Sequence, residues 1–230
     1  MLRHPGSHLL LILLLSSRII AGEPVTPAER GYRWIRTRTY LPADFDQKVF
    51  DQLWTSWPDE QREKARKGDL AFRRHVTREF YGMMTNPRAL HGPGLGYVDD
   101  GRGGWVMNCL SCHAGKVAGR VIPGLGNTHL NLQTLVEDVR RTKLKLLKPL
   151  SHLDLVSAKL PLGISRGTTN SVVFGIVLGN YRDVDMGVHL DAPAPPQLLH
   201  HGMDAPPLWN VRHKTQLYCD GFAPKNHRIL

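Results

Sequence analysis

The stretch N-C-L-S-C-H at residues 108–113 constrains this chain more than any other, because Cys109, Cys112 and His113 form a C-x-x-C-H run. On a helical turn, residues three apart share a face, so two thiols at that spacing can reach neighbouring vinyl groups on one edge of a porphyrin. A histidine directly after the second cysteine then projects to the iron as its proximal ligand. Cys109 and Cys112 are therefore the expected thioether anchors and His113 the expected iron ligand. Two other uses of paired cysteines each lack a part. A thioredoxin-like dithiol wants its motif at a helix start within a βαβ unit, and no such pattern surrounds residue 109. A structural zinc site wants a second ligand pair, which only Cys219 with a distant histidine could complete. The chain holds three cysteines, too few for a second C-x-x-C-H, so the expected cofactor is one haem c, with its iron, per chain.

Covalent haem is attached outside the cytoplasm, and the start of the chain agrees. An apolar run from Leu9 to Leu15 follows Arg3, and the small residues Ala21 and Gly22 precede Glu23 and Pro24. That is the layout of a secretory signal peptide over residues 1–22. Ser16, Ser17 and Arg18 interrupt the run well short of the about 20 apolar residues a spanning helix needs. The reading is a periplasmic or secreted protein, membrane-associated only if this segment stays uncleaved. The formal charge is +10, and loss of Arg3 and Arg18 leaves +8 on the mature chain. A basic surface favours an acidic redox partner; spread basic residues on an exported chain do not point to nucleic acid.

The rest of the chain reads as mainly α with long loops. Residues 31–42 alternate enough for a short strand or extended arm. Phe45, Val49, Leu53 and Trp54 then form one helical stripe. A second helix is expected to start with Ser56 as cap, Pro58 in the first turn and Asp59 and Glu60 at the positive end of the dipole. A third covers 70–84 and stops at Asn86 and Pro87. Residues 86–105 read as a Gly-rich loop, in which Gly94 and Gly96 lack the flanking strand that a nucleotide-binding loop requires. Leu132, Leu135, Val136, Val139 and Leu146 make a further helical stripe, with positive charge from Arg140 to Lys148 near its negative end. Residues 167–180 form an apolar segment that suits helix or strand, with Thr168 or Thr169 as a cap favouring helix, and proline-rich loops bracket His200 and His201.

The segments "NCLSCHAGKVAGRVIPGLGN", "RGTTN" and "APPLWNVRHKTQLYCDGF" together resemble the dihaem cytochrome c peroxidase superfamily, closest to its rubber-oxygenase-like branch. The resemblance spans most of residues 31–230 and is to the first haem lobe only. It implies a cytochrome c-like haem-binding region over 101–230 behind an N-terminal helical extension over 23–100. It also implies a chain truncated before a second haem. Members use paired haems for electron transfer coupled to peroxide or dioxygen chemistry. With one haem motif, the expected function is electron transfer; a haem-dependent peroxidase or oxygenase is the alternative, and a zinc-stabilised binding module a third. Cys219 stands where the family pattern carries a non-thiol residue, often histidine. The sixth iron ligand stays open among Met186, Met203, His129 and His189, with His200 and His201 also in reach.

Overall fold

The structure, a computed structural model, describes residues 26–86, 92–158, 161–163, 165–170, 202–209, 213–217 and 223–224. Residues 1–33 and 34–230 form two separate units. Helix α1 (Pro27–Thr37) starts in the first and buries none of its residues. Its start is written in T-P-A-E. Thr26 Oγ1 accepts from the Glu29 amide at 3.2 Å, and the Glu29 carboxylate accepts from the Thr26 amide at 2.9 Å. This reciprocal capping box, with proline at the first helical position, makes residues 31–37 helical where alternation suggested an extended arm.

In the second unit, Asp46 caps α2 (Gln47–Gln52) by accepting from the Val49 amide at 2.9 Å. A 3₁₀ turn, η1 (Leu53–Ser56), continues it, and the expected stripe holds: Phe45, Val49 and Leu53 are buried and Trp54 is half-buried. Helix α3 (Asp59–Lys67) starts from Pro58, not from Ser56, which closes the 3₁₀ turn instead. Helix α4 (Leu70–Tyr81) is capped by Asp69, whose carboxylate accepts from the Phe72 amide at 2.7 Å. It ends at Gly82, earlier than the expected stop at Asn86. Gly82 has φ +67°, and a Cβ there would lie 1.9 Å from the His129 carbonyl oxygen, so only glycine fits this left-handed cap. Helix α5 (Leu132–Lys145) buries Leu132, Leu135, Val136 and Val139 as the stripe predicted, and α6 (His152–Ser157) follows behind a Ser151–Asp154 capping box.

The mainly α expectation is wrong. Nine short strands accompany the helices among the described residues, so this is a mixed structure of helices and small antiparallel sheets. Strands β1 (Phe45–Asp46), β2 (Tyr97–Asp99) and β3 (Gly104–Met107) form one sheet in the order β1-β3-β2. Strands β4 (Ala114–Val117) and β5 (Arg120–Pro123) form a hairpin, while β6 (Thr168–Thr169) pairs with β7 (Met203–Asp204) and β8 (Gln216–Leu217) with β9 (Ala223–Pro224). The supposed loop 86–105 contains the β2–β3 hairpin. Its turn closes because the Asp100 carboxylate accepts from the Arg102 and Gly104 amides at 2.8 and 2.9 Å, with Gly101 and Gly103 at positive φ. The β4–β5 turn places Ala118 at φ 47° and Gly119 at φ 79°, the type I′ pattern that matches strand twist. Thr168 and Thr169 cap no helix: they are β6, and Thr169 is buried against its partner strand. Residues 171–180 of that expected helix lie outside the described residues.

The core packs α2, η1, α4 and α5 against the three-stranded sheet. Trp105 lies between Phe45 and Phe50, with ring centroids 5.6 and 5.1 Å away. Polar groups within this core are linked in series. Trp57 Nε1 donates to the Tyr81 hydroxyl at 2.7 Å, Tyr81 donates to Asp138 at 2.8 Å, and Arg141 donates to the same carboxylate at 3.0 Å. Burial in this network raises the pKa of Tyr81 well above its usual value, so the hydroxyl remains a donor.

Candidate haem-binding site

The C-x-x-C-H run sits on a helical turn between β3 and β4. Asn108 caps it by accepting from the Leu110 amide at 2.8 Å, Cys109–Ser111 form the 3₁₀ turn η2, and the His113 amide donates to the Cys109 carbonyl at 3.0 Å. In a 3₁₀ turn, side chains three apart eclipse, so Cys109 and Cys112 share one face, as their spacing predicted. Both are free thiols. Their surroundings differ. Cys109 is exposed, whereas Cys112 packs against an apolar cluster that includes Leu130, Leu132, Val136 and Leu162. Burial, and secondarily the charge of Cys109, pushes the Cys112 thiol up to about 12.

His113 is half-buried, and its Nδ1 lies 2.9 Å from the carbonyl oxygen of Pro206. A carbonyl only accepts, so the contact requires the hydrogen on Nδ1 and leaves the Nε2 lone pair free. Burial lowers the His113 pKa, and the Pro206 bond opposes that. The net lowering leaves the imidazole neutral at neutral pH, and the Pro206 bond orients it.

Pro206 belongs to A-P-P-L-W, and three close approaches hold this segment beside the motif. The Leu208 amide donates to the Gly124 carbonyl at 2.7 Å, and the Gly124 amide donates to the His113 carbonyl at 2.7 Å. At Gly126 a Cβ would fall 2.0 Å from the Ala205 carbonyl oxygen, so no side chain fits there. Leu208 and Trp209 remain exposed on this strap.

Two residues that sequence reading missed fix the turn from behind. Buried Asn127 donates through Nδ2 to the carbonyls of Ser111 and Gly82 at 2.9 and 2.8 Å, and its amide donates to the Cys112 carbonyl at 2.8 Å. At Gly96 the close neighbour is Ser111, whose hydroxyl donates to the Gly96 carbonyl at 2.6 Å; a Cβ on Gly96 would lie 2.4 Å from that hydroxyl oxygen. Asn127 ends the quoted motif-bearing segment, and Gly96 was weighed only as a phosphate loop, so neither carried a legible role.

The sixth-ligand candidates are not gathered by the described residues. Met203 lies half-buried in β7, paired with Thr169, and His129 is exposed with Nδ1 3.4 Å from the Thr128 hydroxyl. Met186, His189, His200, His201 and Cys219 lie outside the described residues. Among the described residues, no three His, Cys, Asp or Glu side chains cluster as a metal site, and no helix is long and apolar enough to cross a membrane.

The residues present fit a covalently held haem. Two thiols share a face, one open and one against apolar packing, and the adjacent imidazole offers Nε2 with its other nitrogen already bonded. Cys109 and Cys112 would hold the porphyrin and His113 its iron. No family model, curated protein or solved structure matches this chain.

The contrast between the thiols has a direct consequence. In folded chain prepared without haem, a maleimide at pH 8 is expected to label Cys109 at least tenfold faster than Cys112, because only thiolate reacts and Cys112 is half-buried against apolar packing with a raised pKa. Peptide mapping by mass spectrometry separates the two sites. Equal rates would show that the Cys112 sulfur faces solvent.

Proposed function

We propose that this chain is an exported c-type cytochrome that carries single electrons to or from a partner protein. Cys109 and Cys112 hold one haem through thioethers, and His113 supplies the proximal nitrogen. The 2.9 Å contact between His113 Nδ1 and the Pro206 carbonyl carries this reading. Histidines that ligate metals have their second nitrogen tied to a carbonyl or carboxylate in this way, which fixes the tautomer and strengthens the ligand. A bound haem supplies a one-electron couple, and the protein sets its potential through axial ligation and burial.

The chain's own residues hold and orient the reacting group. The Asn108 cap and Asn127 keep the motif in one conformation, and the strap at 205–208 keeps the imidazole from rotating. The formal charge of +8 on the chain without its leader, +10 less Arg3 and Arg18, supports rapid encounter with an acidic partner. The signal-like leader and the resemblance to the dihaem peroxidase superfamily support export and redox chemistry.

Chain expressed with a haem-attachment system is expected to contain one haem by pyridine haemochrome assay and to show a sharp α band on reduction. A colourless chain under those conditions overturns the reading. Rapid turnover of peroxide by the single-haem protein replaces the carrier with an enzyme.

A further inference from the structure

Behind the motif, one small void is bordered by three residues that each carry a buried polar atom without a hydrogen-bond partner. It has a volume of about 10 Å³ and is bordered by Asp44, Tyr97 and Asp154, with Leu135 and Val136 among its apolar walls. Asp44 Oδ1, the Tyr97 hydroxyl and Asp154 Oδ1 are all buried and have no hydrogen-bond partner. A void of this size suits about one water, and a buried water takes two to four polar partners. Three unsatisfied polar atoms around one water-sized space define a hydration site, since leaving each unpaired costs about 1–3 kcal/mol.

The site touches the haem motif through its own backbone. The second oxygen of Asp44 accepts from the Met107 amide at 2.8 Å, and Met107 lies two residues before Cys109 and packs against the cluster that holds Cys112. Tyr97 pairs with Met107 across β2 and β3. Burial, and secondarily the charge of Asp44, keeps the Tyr97 hydroxyl protonated. The groups facing Asp44 come from several elements: Tyr97 on β2, the Lys143 ammonium on α5, and Asp154 and His152 on α6. His152 Nε2 is 3.7 Å from Asp44 Oδ1, and Lys143 is ion-paired to Asp154. Burial pushes the Asp44 carboxyl up to about 7; Asp154 adds to this, while Met107 and Lys143 oppose it. Asp44 also borders a cavity of about 540 Å³ whose wall includes Arg102, Lys148 and Asp46.

We propose that Asp44, Tyr97 and Asp154 enclose one water and that the Asp44 carboxylate would take up a proton on reduction of a haem that Cys109, Cys112 and His113 would hold. This rests on the haem reading above. A one-electron donor protein gives the electron, solvent gives the proton, and one O–H bond forms on Asp44. The ionised carboxylate favours the more positive, oxidised site, so reduction raises proton affinity and alkali lowers the potential.

The test is potentiometry of the haem-loaded chain from pH 5 to 9. The midpoint is expected to fall between about pH 6 and 8 and to level off on either side. Asp44→Asn is expected to flatten the curve near the acid plateau. Tyr97→Phe keeps the carboxyl but removes one of the groups that hold the water beside its ionised form, so the fall moves to higher pH. Reduced-minus-oxidised infrared spectra at pH 7 are expected to gain a protonated carboxyl band that Asp44→Asn lacks. A haem-loaded wild type whose midpoint ignores pH, or an Asp44→Asn variant that keeps the wild-type slope, overturns this proposal alone. A chain that takes no covalent haem overturns it together with the haem reading.

Discussion

With haem held as proposed, a chain carrying both Cys109→Ala and Cys112→Ala is expected to lose all of it to acid acetone, while the parent chain keeps it. The thioether is the only bond in the site that acid cannot break, since acid protonates the histidine and releases iron coordination. Each single variant retains one thioether and therefore keeps its colour through extraction. The single variants differ in stability. Cys112 fills space in the cluster of Leu130, Leu132 and Val136, so Cys112→Ala costs about 1 kcal/mol more than Cys109→Ala, whose side chain is exposed. His113→Ala separates attachment from ligation: the haem stays bonded to the protein, and its reduced spectrum and potential change because the proximal nitrogen is gone. Full retention of haem by the double variant after extraction would assign the attachment to other residues.

The local anchors of this structure were written in the sequence where a short motif has one geometric solution. C-x-x-C-H gave the shared face of the two thiols. T-P-A-E encodes the start of α1, a signal that alternation over residues 31–42 does not carry, and the capped first turn makes the segment helical through Thr37. The stripes at Phe45, Val49 and Leu53 and at Leu132, Leu135 and Val139 predicted burial because a helix repeats every 3.6 residues regardless of what it packs on. The strands escaped notice because they are two to four residues long, too short for alternation to register. What fixes them is the turn chemistry at Asp100 and Gly119. The long-range contacts were illegible for a different reason. Nothing local marks Pro206 as the acceptor for His113 across 93 positions of chain, or Asn127 as the brace between Ser111 and Gly82. Lys143 also defied local reading: it was counted with the basic end of α5, but the structure buries it.

Lys143 is the basis of the largest expected loss of stability. Its ammonium pairs with Asp154 in a site where the two side chains are 4% and 0% exposed, so neither charge has water to fall back on. Asp154→Ala leaves the ammonium buried without its carboxylate, a change that costs about 3–5 kcal/mol. The same carboxylate caps α6 by accepting from the Ser151 amide and hydroxyl at 2.7 and 2.9 Å, and losing a cap adds about 1 kcal/mol. Lys143→Met is expected to cost less, because the Asp154 carboxylate left behind keeps both bonds from Ser151 and can take up a proton once the ammonium is gone. Pairing Lys143→Met with Asp154→Leu should recover much of the loss of Asp154→Ala alone, since apolar side chains of similar volume replace a buried ion pair at little net cost. Urea unfolding measures all three, read as midpoint shifts at constant slope. The loss in Asp154→Ala should also shrink as pH rises past about 7, where ionised Asp44 becomes available to the stranded Lys143. A penalty below about 1 kcal/mol at pH 5 would mean that Lys143 turns out to solvent when its partner is removed.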